Sequence, residues 1–326
     1  MIVDPATAPT SADKGLHTLH LSAAGGLTQF GAYLDRLDPG AWSSHRHWHS
    51  AEDEFLYVLS GHPTLRDDHG MTDLAPGDAL CWRHGDPNAH HLTNRTDTPA
   101  TWLIVGSRCA GDICTYPDDA RRQVNGDGTW RMETFAGETL RQGPLPAELL
   151  NLPAPWGRPF DGTPRPNLLR AGSVPAEYCL NNYPAAFADL GDAHDIALSD
   201  AGGLTQFGAF VEILAPGGQT SLRHWHEAED EFLYVLSGHP TLIEDDGPRR
   251  LAPGDCACWP AGVANAHCLR NDTDTPATLF IAGTRLAEDA AHYPDIDLHY
   301  SRRNGLRSFS RKDGTLYPGW PKETNR

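Results

Sequence analysis

The chain has 326 residues, 39% of them hydrophobic and 21% charged, and a formal net charge of −17. That acidity speaks against nucleic acid and anionic membranes as partners, because the basic pairs Arg121-Arg122, Arg249-Arg250 and Arg302-Arg303 are too short to neutralise a phosphate backbone. Seven cysteines without dense, even spacing exclude a small disulfide scaffold. With no leader-like N-terminus and no apolar run of about 18 residues, the expectation is a cytoplasmic chain that does not span a membrane.

In chain order, the apolar runs are short and end at turn residues. TQFGAYLDRL, FLYVLSG, TLRDDHG, ALCW and ATWLIVG read as strands. Asp38-Pro39-Gly40, Ala75-Pro76-Gly77-Asp78 and Asn94-Arg95-Thr96-Asp97 are the turns between them. From Gly143 to Pro184 nine prolines replace this pattern, so an extended connector is predicted, anchored by Leu149-Leu150, Trp156, Phe160 and Leu168-Leu169. The strand pattern then returns. Leu198 onward (LSDAGGLTQFGAF) repeats Leu21 onward (LSAAGGLTQFGAY), and at a constant offset of 177 residues the match continues to Tyr293-Pro294-Asp295 against Tyr116-Pro117-Asp118. A gapless repeat of that length is a duplicated domain. The expected organisation is a barrel at 1–142, a connector packed on the surface at 143–184 and a second barrel at 185–326.

SHRHWHSAEDEFLYVLSG at 44–61 returns as SLRHWHEAEDEFLYVLSG at 221–238. On a strand His47 and His49 share a face with Cα atoms ~6.6 Å apart, and Trp48 points away. Glu54 follows at the start of the next strand and His90 comes from a third. The second copy supplies His224, His226, Glu231 and His267 in register. Three imidazoles and one carboxylate, twice, predict about one divalent metal per barrel. Fe(II) or Mn(II) is preferred, and Zn(II), Ni(II) and Cu(II) are compatible.

These residues carry a resemblance to the cupin superfamily. The first cupin motif is met by His47, His49, Glu54 and Gly61, and again by His224, His226, Glu231 and Gly238. The other cupin motif resembles Gly254, Pro260-Ala261-Gly262, His267 and Asn271, with two extra residues before the histidine. In the first copy Gly77, Gly85, His90 and Asn94 fit, but Arg83 stands where proline is expected. GLTQFG, RHWHxAEDEF, YPDIDL and RKDGTLYP further resemble a group of small single-domain cupins. The resemblance implies an all-β fold, two double-stranded β-helix (jelly-roll) barrels in tandem. It also implies a metal-dependent enzyme on a small-molecule substrate. Dioxygenase-type oxidation comes first, then an isomerase or lyase, then a binding protein without turnover. Barrel faces leave room for a homo-oligomer.

Other residues read as structural. Cys256 and Cys258 are expected to pack in the core, and Trp82 and Trp259 to be buried with satisfied indole N–H groups. Glu52 and Glu229 read as exposed turn residues, and GGLTQFGA as part of a strand. His45 is expected on the metal-facing side, with Leu222 as its counterpart, and His91 on the face opposite His90. The intact Pro260-Ala261-Gly262 turn makes the second copy the expected seat of chemistry.

Overall fold

The computed structural model describes residues 2–179 and 182–324. Strand pairing among them is antiparallel throughout, and the strands form two sets of the same three sheets. In the first set a seven-stranded sheet runs Leu168–Leu169, Ala79–Trp82, Glu54–Ser60, Ala100–Ser107, Phe30–Leu37, Leu16–His20 and Thr10–Asp13. A five-stranded sheet ending in Trp48–His49 and a three-stranded sheet centred on Thr64–Asp67 complete the barrel. The second set repeats the register, with Leu37 opposite Ala100 in the first and Leu214 opposite Ala277 in the second. The architecture is two tandem jelly-roll barrels.

Alternation along each strand decides which core it feeds. Leu56 and Val58 point into the first barrel, against Leu37, Leu80, Leu92 and Trp102. Phe55 and Tyr57 point the other way and meet Phe280 at ring separations of 5.6 and 6.1 Å. Phe30, Phe207 and Phe232 join them in a cluster shared by the two barrels. Each buried phenylalanine contributes roughly 1.5–3 kcal/mol, so this face is a hydrophobic core in its own right.

The barrels also exchange edge strands. Ile2 lies opposite Ala257, and Leu168 lies opposite Leu80. Residues 80 and 257 are counterparts, so each barrel is edged by the segment leading into the other. The repeated strings lock the exchange. Asp230 Oδ2 accepts the backbone N–H of Thr28 (2.7 Å) and Gln29 (2.9 Å), and Asp53 Oδ2 accepts those of Thr205 (2.7 Å) and Gln206 (2.9 Å). Gln29 and Gln206 reach back to the carbonyls of Ala228 and Ala51.

The expectation for GGLTQFGA is corrected accordingly. Leu21–Gly25 and Leu198–Gly202 are one-turn helices, and the strands begin at Phe30 and Phe207. The glycines are required by close approach: a Cβ on Gly25 would sit 2.2 Å from Cys258 Cβ, and one on Gly202 2.3 Å from Cys81 Sγ. Cys256 and Cys258 are fully buried at this junction.

In the proline-rich stretch, Phe160 N–H donates to His84 O, and the Trp156 indole donates to Gln206 O. We retain the division at 1–142, 143–184 and 185–326 as a proposal. Its residues 1, 180, 181, 325 and 326 lie outside the described residues. Among the described residues no helix is long and apolar enough to cross a membrane.

Candidate metal centres

Each cluster is assembled from an irregular approach and two strand ends. His47 pairs with His90, and His224 with His267, through isolated bridges rather than continuous ladders. His49 lies on Trp48–His49, opposite Cys114, while Glu54 and Glu231 begin Glu54–Ser60 and Glu231–Ser237.

All four expected side chains meet in each barrel. In the first, His90 Nε2 is 2.9 Å from Glu54 Oε2, and the His47 ring is 5.2 Å from His49 and 5.1 Å from His90. In the second, His267 Nε2 is 2.9 Å and His226 Nε2 4.0 Å from Glu231 Oε2. Trp82 stacks on His90 at 3.6 Å and Trp259 on His267 at 3.7 Å, which fixes the ring planes.

The outward nitrogens of the first two histidines in each quartet are already committed. His47 Nδ1 lies 2.9 Å from His45 O and His224 Nδ1 2.8 Å from Leu222 O. A carbonyl only accepts, so both Nδ1 atoms carry the proton and both Nε2 atoms present lone pairs. His49 Nδ1 bonds Asp112 at 2.7 Å and His226 Nδ1 bonds Asp289 at 2.5 Å. In the second barrel the Nε2 atoms of His224 and His226 are only 3.0 Å apart. Without a metal the contact is a hydrogen bond from His226 Nε2–H to the His224 lone pair, a proton that a metal ion would replace, and the donor set of imidazoles and carboxylate suits a divalent metal. The residues therefore form His/Glu clusters that could hold a metal ion.

Electrostatics agree. Burial, reinforced by neighbouring histidines, lowers His47 to about 4 and His224 to about 3, keeping both neutral. Burial would raise Glu54, but His90, His47 and His49 outweigh it and bring the carboxyl down to about 2. Burial opposes charge on His226 too, yet Glu231 and Asp289 lift it to about 9.

Sequence reasoning missed Asp112 and Asp289, which orient the second histidine of each pair. A signal was present: in GDICTY and EDAAHY only the aspartate and the tyrosine coincide. It also misplaced Glu52 and Glu229. Both fold back beneath the cluster, accepting backbone N–H bonds from Cys109 (2.8 Å) and Leu286 (2.7 Å), and burial raises each to about 7. His45 turns away to pair with Asp119 at 2.8 Å, because residues 44–47 are not regular strand. His91 and His90 both line one inner cavity, since the ladder starts only at His91. The Trp259 indole is satisfied by Glu244 at 2.8 Å, whereas Trp82 Nε1 has no hydrogen-bond partner among the described residues; Asp67, the counterpart of Glu244, is one methylene shorter.

The surroundings differ. A cavity of about 330 Å³ reaches His49, Glu52 and Glu54 in the first barrel, bordered by Tyr33, Arg108, Asn125 and Leu145. In the second, Arg302 stands where the first has Asn125 and pairs with Glu229. A groove of about 690 Å³ there includes Arg285, Leu286 and Arg302 but none of the four cluster residues.

The cupin domain model matches twice, at residues 33–106 and 210–283. A Silicibacter pomeroyi structure described as a sugar phosphate isomerase from a cupin superfamily is 38% identical over 45% of this chain and 94% of its own, with a TM-score of 0.43. Lactobacillus farciminis oxalate decarboxylase, in a formate complex, is 15% identical over 89% of this chain and 87% of its own, with a TM-score of 0.53. The E. coli protein Ylba is 13% identical over 87% and 90%, with a TM-score of 0.51. The last two share the fold. No curated protein matches. Two domain matches and 38% sequence identity across 94% of the Silicibacter pomeroyi chain lead to the same place as the paired His/Glu clusters: the chain belongs to the cupin superfamily, as a bicupin.

Proposed function

We propose that this bicupin is a metal-dependent enzyme that moves a proton on a small oxygenated organic substrate, as an isomerase or lyase, and that its first barrel is the seat of the reaction. One observation carries the proposal: the cavity touching His49 and Glu54 has a carboxyl group outside the quartet, Glu52, on its wall. A divalent ion held by His47, His49, Glu54 and His90, with Fe(II) or Mn(II) favoured, would supply Lewis-acid polarisation of a substrate oxygen.

The chain's own groups do the rest. Cys109 N–H fixes Glu52 Oε1, and Glu52 Oε2 lies 3.8 Å from His49 Nδ1. A carboxyl so held can take a proton from a substrate bound beside Glu54 and return it to a neighbouring atom. Tyr33, Arg108 and Asn125 offer hydrogen bonds to hydroxyl or carboxylate groups, with Arg108 steadied by Tyr33 Oη at 3.1 Å. Leu145, Leu149 and Leu152 form an apolar outer wall that limits water. Oxidation, placed first by resemblance, needs no such carboxyl.

The test is solvent exchange. Metal-loaded protein would be incubated in D₂O with a panel of aldoses, ketoses, hydroxy acids and keto acids, and deuterium at carbon followed by NMR. We expect incorporation with the wild type and its loss in Glu52→Gln and His47→Ala. Substrate-dependent oxygen consumption without exchange would overturn the reading in favour of a dioxygenase.

A further inference from the structure

The interior of the second barrel holds a group that the quartets do not explain. Asp195 on Ala193–Ile196 lies directly opposite Glu212 on Phe207–Leu214. Like charges opposite one another on adjacent strands repel, and these two are removed from most of the water that would screen them. Glu212 is 3% exposed. Asp195 Oδ1 is buried with no hydrogen-bond partner among the described residues. Among the described residues no donor or ion-pair partner reaches the Glu212 carboxyl, whose surroundings add only the further negative charge of Asp195.

The first barrel solves the same position differently. The counterparts of Asp195 and Glu212 are Thr18 and Asp35. Thr18 Oγ1 donates to Asp35 at 2.6 Å, and the Trp102 indole donates at 3.2 Å. In the second barrel Thr18 has become Asp195 and Trp102 has become Leu279, so both donors are gone and a second carboxyl has been added. A thiol has joined them. Cys179, tethered by its N–H to Ala193 O at 2.8 Å, brings its sulfur within 4.8 Å of both carboxyl groups.

We propose that Cys179, Asp195 and Glu212 form a third cation site, distinct from the two His/Glu clusters, that takes a borderline divalent ion such as Zn(II). One sulfur and two oxygens match the donors that ion accepts, at about 2.3 Å to sulfur and 2.0–2.2 Å to oxygen. Ligand atoms on such an ion sit roughly 3.5 Å apart, so rotation of side chains already within 4.8 Å closes the site. A bound cation would also remove the repulsion between the two carboxylates. Burial and the neighbouring carboxyls push the Cys179 thiol up to about 12, so binding releases a proton and strengthens with rising pH. The site stands apart from the proposed reaction and would survive its refutation.

Cadmium is the probe. Metal-free full-length protein titrated with Cd(II) at mildly alkaline pH should develop a near-ultraviolet thiolate-to-cadmium charge-transfer band and bind three ions per chain. Cys179→Ser should remove the band and one ion. Glu212→Gln, neutral and close in shape, should weaken that ion's binding by about tenfold or more. Cys114→Ser is the control, because Cys114 lies within 4.8 Å of His47 and His49 and is a second thiol placed to report a metal. A band retained in Cys179→Ser and lost in Cys114→Ser would overturn the proposal, as would two ions per chain and no band. Melting curves of each variant check that it is folded.

Discussion

Asn125 and Arg302 occupy equivalent strand positions, and the exchange separates the two barrels more than any change in their metal clusters. Asn125 borders an open cavity beside His49 and Glu54. Arg302 instead lays its guanidinium on Glu229, the counterpart of Glu52. Inside the barrels the contrast runs from Thr18 and Trp102, which satisfy Asp35, to Asp195 and Leu279, which leave Glu212 unsatisfied. What has stayed constant builds the clusters that could hold an ion or holds the fold: the quartets, Asp112 and Asp289, the tryptophans stacked on the third histidine, and the aspartates that lock the exchange. What has changed faces the space where a ligand would sit. It is on this difference that we place the proposed chemistry in the first barrel. The turn that favoured the second does not distinguish them, since Gly85 N–H bonds His49 O at 2.8 Å and Gly262 N–H bonds His226 O at 2.9 Å.

The sharpest way to break this comparison is to empty one cluster at a time. His47→Ala and His226→Ala should each remove about one metal per chain. Only His47→Ala should abolish solvent exchange, by roughly 10³-fold or more, a loss of the size seen when a principal catalytic electrostatic group is removed. Equal losses would erase the distinction. A further contrast concerns the locks. Asp53 accepts N–H bonds from Thr205, Gln206 and His84 and also bonds the His84 ring at 2.5 Å, whereas among the described residues Asp230 accepts only backbone N–H bonds, from Thr28, Gln29 and Ala261. Removing either leaves buried donors unpaired. Asp53→Ala should cost roughly 3–5 kcal/mol and Asp230→Ala about 1 kcal/mol less, read from urea unfolding.

The third contrast is in pH. Burial raises Asp35 to about 6, with Thr18 and Trp102 pulling it back, and raises Glu212 to about 8 with nothing pulling back. Both hold their proton more tightly folded than unfolded. Their contribution is therefore complete below the ordinary carboxyl range and is lost as pH rises, through about 6 for Asp35 and about 8 for Glu212. Unfolding midpoints of metal-free protein should fall between pH 6 and 8 in the wild type and fall less steeply over that window in Glu212→Gln, where the remaining slope comes from Glu52, Glu229 and His226. Each unit of displacement is worth about 1.4 kcal/mol.

The barrels and quartets were legible because their signals are local or repeated: turn residues at short intervals, His-x-His on one strand, and a second copy at constant offset. The locks were not, because Asp53 finds Gln206 across 153 residues and nothing near Asp53 requires a partner there. Period-two reasoning failed at His45 and at His90-His91 for one reason: the chain enters the cluster through isolated bridges, where side chains need not alternate. Glu52 was misread because a charged residue between a histidine pair and a strand resembles a solvated turn. Its burial comes from Cys109 N–H, which arrives from 57 residues away.

The smallest expected effect tests the exchange that separates the barrels. Asn125→Arg puts into the first barrel the side chain that covers Glu229 in the second. Its guanidinium should pair with Glu52, as Arg302 does with Glu229, and take that carboxyl away from the substrate while leaving the four histidine and glutamate ligands untouched. Metal content should stay at wild-type level, and solvent exchange should fall about tenfold, the equivalent of about 1.4 kcal/mol. Arg302→Asn is the converse. It frees Glu229 and opens a path toward His226 and Glu231, so small additives that compete at the first cluster should begin to compete at the second. Unchanged exchange in Asn125→Arg, with the arginine shown to be folded in place, would mean that Glu52 is not the group that moves the proton. Loss of metal in Asn125→Arg would mean instead that this position supports the cluster itself, and that the open and covered mouths are a difference in stability rather than in access.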